Sequence, residues 1–176
     1  MGDPKRTKKK YDTPRQPWVK ETIDAEKELV REYGLKNKKE IWKVLSKLRN
    51  LKSQSKQYGH DDSPENLERQ ELLLQKLRRM GLLNENQGLD DVLGLDVKDL
   101  LERRLQTLLY RKNLANSMKQ ARQFIVHNHV VVNDRKVSVP GYMVKKEEEA
   151  TIGFSEGSAL ANPEHPEISV LKTQVE

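Results

Sequence analysis

The chain has 176 residues, a charged share of 34% against 35% hydrophobic, and a net charge of +6 with a pI of about 9.4. That allows one ordinary domain, or a small domain with arms, around a modest core. With no cysteine, a disulfide framework, a thiolate zinc site and a cysteine nucleophile are excluded together. No apolar stretch is as long as a membrane span and no signal segment opens the chain, so a soluble intracellular protein is expected.

The charge is unevenly placed. Residues 1–20 hold seven Lys/Arg against two Asp, residues 97–146 eleven against three acids, and residues 147–176 one Lys against seven Glu. A solvated lysine excess accounts for either basic block alone. The two together favour a polyanionic partner, whose counterions such blocks release. Aromatic residues are only 5%, which argues against an extensive base-stacking sheet.

In chain order, residues 1–18 (three prolines, five cations between Lys5 and Lys10, no apolar period) predict an extended basic arm. Such an arm suits RNA, but also a solubilising tail or an address signal. A helix over 22–33 follows, stopped by Gly34, then a second over 38–57 capped by Asn37, with Ile41, Leu45, Leu48 and Leu51 at helical spacing. Residues 59–62 break the pattern. Ser63-Pro64-Glu65 opens a third helix running through Leu67, Leu74 and Leu77 to Gly81. Residues 82–94 read as a linker with a short turn.

Asp96 then caps a helix over 97–111. On a wheel its stripe is Val97, Leu101, Leu105 and Leu108, with Arg104 inside the apolar arc and Arg103 pointing away beside Gln106 and Tyr110. Asn116 or Ser117 caps a helix over 118–127 that buries Met118, Ala121, Phe124 and Ile125. Its other face carries Lys119, Gln123 and His127 with Gln120 alongside, a set able to contact phosphates, 2′-hydroxyls and base edges. The start at Asn116-Ser117 offers backbone N–H groups to a phosphate. Residues 130–132 and 136–139 form a hairpin across Asn133-Asp134. Short strands are expected over 142–144 and 151–154, and an acidic irregular tail after Ser155, with residues 168–171 able to dock.

These positions carry a resemblance. Arg104-Leu105, Ser117, Ala121-Arg122, Ile125-Val126, Val130-x-Val132-Asn133 and Val137-x-x-Pro140 resemble the small RNA-binding module named after ribosomal protein S-four. Gln106 replaces a common aspartate and Asn113 a turn glycine. Met118 stands where an arginine often follows the serine, and Asn133-Asp134 where Asn-Gly is usual. Lys119 is a substitute for the cation missing at Met118. The module is also appended to enzymes and to stress proteins. The arm, residues 26–44 and the acidic end extend the resemblance to the archaeal and eukaryotic-type S-four ribosomal protein family over nearly the whole chain.

The resemblance implies a structural, non-catalytic component of the small ribosomal subunit in the cytoplasm. It further implies a primary ribosomal-RNA-binding protein for the 5′ domain that nucleates assembly of the subunit body. Its place would be near the mRNA entry side, with a share in decoding accuracy and S-five among its protein neighbours. The cysteine-ligated zinc of some bacterial relatives is not available here. No cofactor, metal, membrane or small-molecule substrate is expected: His60, His127, His129 and His165 form no ligand set, and Glu147-Glu148-Glu149 reads as a solvated turn. A transient assembly or stress factor of the same module family, and a helical protein-interaction scaffold, remain as alternatives.

The expected fold class is α+β, a helical N-terminal region with an extended basic arm plus a small α-α-β RNA-binding module. The expected divisions are residues 1–20 for the arm, 21–95 for the helical region, 96–154 for the module and 155–176 for the acidic tail. Expected RNA contacts are Lys5, Arg6, Lys8, Lys9, Lys10, Arg15 and Trp18 in the arm, with Trp18 stacking or wedging. In the module they are Arg103, Arg104, Arg111, Lys112, Asn116, Ser117, Lys119, Gln120, Arg122, Gln123, His127, Asn133 and Lys136.

Overall fold

The computed structural model describes residues 9–60, 63–162 and 165–167. The chain is α+β. Seven α-helices, α1 (Lys20–Glu32), α2 (Lys38–Tyr58), α3 (Pro64–Arg79), α4 (Leu89–Gly94), α5 (Val97–Glu102), α6 (Leu105–Arg111) and α7 (Met118–Val126), precede a small antiparallel sheet among the described residues. Its strands β1 (Val130–Val132), β2 (Arg135–Lys136) and β3 (Gly153–Phe154) lie in the order β2-β1-β3.

Four helices end by one device. Gly34, Gly81, Asn113 and Asn128 follow α1, α3, α6 and α7 with φ of +56°, +68°, +56° and +63°. In each case the next residue's N–H reaches back to a carbonyl in the last turn: Leu35 to Val30, Leu82 to Leu77, Leu114 to Leu109 and His129 to Phe124. This left-handed closure satisfies otherwise orphaned carbonyls, and asparagine tolerates it nearly as well as glycine. Asn133 and Asp134 also have positive φ, giving the expected β1–β2 turn.

Leu48, Leu51, Leu73, Leu77, Val92 and Leu100 pack α2, α3, α4 and α5 together. Tyr33, Leu35, Ile41 and Leu101 close the α1 end. A third cluster (Leu105, Leu109, Ala121, Phe124, Ile125, Val130, Val144) fills the space between α6, α7 and the sheet. The short helix α5 joins the first two clusters, since Leu100 and Leu101 point into different ones.

Several expectations are corrected. The helix expected over 97–111 breaks at Arg103-Arg104, where Arg104 adopts ψ of 142°. Residues 142–144 cause the break by pairing with it: Leu105 N–H donates to Tyr142 O at 2.8 Å and Val144 N–H to Arg103 O at 3.0 Å. The strand expected over 142–144 is therefore a single bridge, Arg104 to Met143. The wheel fails across the break, and Gln106, expected at the surface, is only 1% exposed. The linker over 82–94 contains α4, whose Val92 is fully buried against the helical core and whose start is tied by Gly88 N–H to Asp91. The third helix forms as expected, with Leu67 exposed near its start and Leu73 and Leu77 buried nearer its C-terminus.

Residues 9–19 carry no helix or strand, yet they do not lack anchorage. Tyr11 packs on Trp42 of α2 with ring centroids 6.1 Å apart, and Asp12 N–H donates to Ser46 Oγ at 2.9 Å. Beyond Ser155, Leu160 is buried in the module core and Ser158 Oγ lies 2.8 Å from His129 Nδ1, so residues 155–162 are docked on the module. The docking expected of residues 168–171 lies outside the described residues.

Gly34 is the turn with least freedom, because a Cβ there would stand 2.6 Å from the Met118 Cβ of α7 as well as facing a positive φ. Gly34→Ala is expected to lower unfolding free energy by about 2–3 kcal/mol in urea titrations. Gly157→Ala, with open space around it, should stay within about 0.5 kcal/mol.

Candidate nucleic-acid interface

The helical region and the module meet at a polar seam centred on Glu40, in the first turn of α2. Its Oε2 accepts from Arg104 Nη2 at 2.7 Å and from Arg122 Nη1 at 3.2 Å, and its Oε1 accepts from Arg122 Nη2 at 2.6 Å. Arg104 is 4% exposed. Its Nε and Nη1 are buried without a partner among the described residues. Burial alone would raise the Glu40 pKa, but hydrogen bonds and charge from Arg122 and Arg104 outweigh it and hold the carboxyl below its ordinary range.

Gln106 completes the seam. Its amide donates to Gly34 O at 3.1 Å, Met118 O at 2.8 Å and, more weakly, Tyr33 O at 3.4 Å, while its carbonyl accepts from Arg122 at 3.4 Å. A glutamine suits this place because one amide supplies donors to carbonyls of both halves and an acceptor to the arginine. An aspartate, the commoner residue in the resembling pattern, supplies no donor when ionised.

A second network ties the module's loops. Arg103 Nη1 pairs with Glu149 at 2.8 Å and its Nη2 donates to Val144 O at 3.2 Å; the Lys112 ammonium donates to the Glu149 carbonyl. Glu148 is buried and accepts from Tyr142 OH and Lys145 N–H, at 3.0 and 3.1 Å. Burial raises its pKa, yet these bonds and the Lys145 charge leave it net lowered. The acidic run is thus no solvated turn: two of its three carboxylates are internal anchors. Arg111 is held by Glu102, which also accepts from Tyr33 OH. Burial and that carboxylate push the phenol upward.

The remaining expected contacts separate by their freedom. Lys119, Gln123 and His127 lie exposed on the outer face of α7, and Asn133 and Lys136 are exposed on the hairpin beside Arg135. Ser117 Oγ accepts from Gln120 N–H and Asn116 N–H donates to Gln120 Oε1, so the α7 start is largely self-capped. In the arm, Lys10 and Arg15 are exposed, Lys9 lies 4.6 Å over the Tyr11 ring, and Trp18 is 76% exposed. Lys5, Arg6 and Lys8 lie outside the described residues. The seam unites Arg104, Arg122 and the α7 face. It leaves the arm on the Trp42 side of α2, and the Arg103–Glu149 network on the module's own loops.

Sequence reading missed Glu40 as the seam's anchor and Lys43 and Lys47 of α2 as neighbours of Arg104 and Arg122 in one cavity. The spacing of Glu40, Lys43 and Lys47, three and four apart, placed them on one helix face. Nothing in the sequence joined that face to a module more than sixty residues away.

A sequence model of the S4 domain matches residues 103–149. Small ribosomal subunit protein uS4 of Picrophilus torridus is 49% identical over 170 residues, spanning 94% of this chain and 92% of that protein. Its namesake in Methanococcus aeolicus is 49% identical over 168 residues, spanning 95% of each, and that of Nanoarchaeum equitans 51% over 166, spanning 92% and 91%. The chain belongs to the uS4 family of small-ribosomal-subunit proteins. Membership makes it a ribosomal protein rather than an enzyme. Read on this uS4 chain, many S4-domain positions serve the fold: Ser117 caps α7, Ala121 and Ile125 are buried, Arg122 binds Glu40, and Asn133 makes the hairpin turn.

Glu40→Gln is expected to cost about 3–5 kcal/mol, the usual penalty for leaving a buried arginine without its counter-charge. Because the folded carboxyl is depressed, its contribution is present above the ordinary glutamate range and lost as pH falls through the lowered folded value. Urea titrations across pH 3–7 should therefore show a wild-type acid-side loss that is smaller in the variant.

Proposed function

We propose that this uS4 protein binds the 5′ domain of small-subunit ribosomal RNA as a primary, non-catalytic component that nucleates assembly of the subunit body. The observation that carries this reading is the locked seam. Glu40 and Gln106 fix α7 against α2, so cations from distant parts of the sequence become one rigid basic surface. Lys119, Gln123 and His127 form its module side, with Asn133 and Lys136 on the hairpin. Asn116, Ser117 and Gln120 frame the start of α7, and Arg111 and Lys112, held by Glu102 and the Glu149 carbonyl, are proposed as further contacts. Lys9, Lys10 and Arg15 extend the field along the arm, Lys5, Arg6 and Lys8 are proposed contacts from the sequence alone, and exposed Trp18 is proposed to stack on an unpaired base.

Arg104 and Arg122 contribute to the same surface through position and charge, their guanidinium groups being held by Glu40, and Arg103, held by Glu149 on the module's loops, is proposed as a separate contact. Affinity then comes mainly from phosphate contacts and register from shape and 2′-hydroxyls. The divisions at residues 20, 95 and 154 are proposed as arm, helical platform, module and acidic tail, with Leu100 and Leu101 of α5 packing on the platform and Leu160 on the module. The resemblance supports the finer placement: cytoplasmic small subunits, the mRNA entry side, a neighbour of S-five type and a share in decoding accuracy.

The test is binding of the full chain to the 5′ domain against an unrelated structured RNA, across a salt series. Selective binding that weakens steeply with salt is expected. Lys119→Glu with Lys136→Glu should weaken it at least tenfold and lower the salt slope by about two. Equal binding to both RNAs would favour a transient factor of the same module family. Absence of RNA binding would overturn the reading.

A further inference from the structure

The seam contains a groove of about 380 Å³ lined by both cationic and apolar side chains. Its lining combines four cations, Lys43 and Lys47 of α2 with Arg104 and Arg122 of the module, with the apolar side chains Val44, Val139, Pro140 and Met143. Glu40, the groove's one carboxylate, has both oxygens engaged by the two arginines, at 2.6–3.2 Å. Lys43 and Lys47 make no ion pair among the described residues. Lys47 is moreover partly buried, which together with nearby Lys76 disfavours its charged form. Excess positive charge in a recess favours an anion, because the recess screens it less than open water does.

The rim adds a second requirement. Val139 is 58% exposed, a β-branched apolar side chain beside the cations. Phosphate alone makes no use of that wall. A nucleotide does, since it joins an anionic phosphodiester to a largely apolar base, and a cleft of this volume lies in the range, about 300–1,000 Å³, that holds a small organic ligand. RNA supplies such units wherever a loop or bulge splays a base from the stack.

We propose that the groove receives one unstacked nucleotide of the bound RNA, its phosphate on Lys43 and Lys47 and its base against Val139 and Met143. This rests on the ribosomal-RNA reading above and adds a subsite to it. The subsite lies on both halves at once, so RNA bound there bridges the seam.

The experiment compares the full wild-type chain with Lys43→Met/Lys47→Met, which keeps the aliphatic stems, and separately with Val139→Asp, which places a carboxylate on an exposed rim. Circular dichroism and urea midpoints establish that each variant is folded. Binding to the 5′ domain is then measured from 0.05 to 0.5 M salt. The lysine pair should lower the salt slope by about one to two and raise Kd roughly tenfold at 0.15 M salt, and Val139→Asp should also raise Kd several-fold. Should the lysine pair fail to fold, Val139→Asp alone decides. Wild-type binding with either folded variant unchanged overturns the groove inference and leaves the ribosomal-RNA reading standing. Loss of wild-type binding overturns that reading itself.

Discussion

One carboxylate, Glu40, holds two arginines of the module against the first turn of α2, and the relation between the two halves depends on it. A buried ion pair is a poor source of net stability, since desolvation consumes much of the Coulombic gain. Its value is geometric. Arg122 meets both oxygens of Glu40 and Arg104 meets one, so sliding or rotating the halves leaves a nearly buried guanidinium uncompensated. Gln106 sets the same relation independently, by joining carbonyls at Gly34 and Met118. Apolar packing tolerates small displacements; this pattern of donors and acceptors does not.

The close approach that the seam requires is built by backbone chemistry. Gly34 ends α1 with positive φ and leaves no room for a Cβ against Met118. The same left-handed closure ends α3, α6 and α7, with asparagine at the last two. Both asparagines lie in the module, where short helices must turn sharply into loops. α6 has seven residues and α7 nine, lengths at which intrinsic helicity is negligible and tertiary burial with good termination must suffice.

Much of this was legible in the sequence. Ser117, the Val130–Val132 run and the Asn133-Asp134 turn are local signals, and the structure realises them within a residue or two. Gly34 and Gly81 announced helix ends for the same reason. What failed was non-local. No proline or glycine marks the break at Arg103-Arg104, because residues 142–144 impose it from across the fold. The amphipathic wheel, valid only for an unbroken helix, then sent Gln106 outward when it is buried. Glu147-Glu148-Glu149 read as a solvated turn because its partners, Arg103 and Tyr142, approach only after folding. Of the candidate site, the α7 face was visible as a helical periodicity, whereas Glu40, Lys43 and Lys47 carried no mark linking them to it.

The use of charge follows from these constraints. Arginines near the seam and in the module loops, Arg103, Arg104, Arg111 and Arg122, are matched to carboxylates inside the protein. Lysines at the surface nearby, Lys43, Lys119 and Lys136, are not matched among the described residues. Planar guanidinium groups suit fixed, partly desolvated pairing, and flexible ammonium groups keep their hydration and reach until a polyanion arrives. The division lets one set of cations rigidify the platform while the other remains available. A rigid platform loses less entropy when RNA docks than two independently moving halves would. Internal pairing of Arg103, Arg104, Arg111 and Arg122 is therefore compatible with, and physically useful to, a surface that keeps its lysines free.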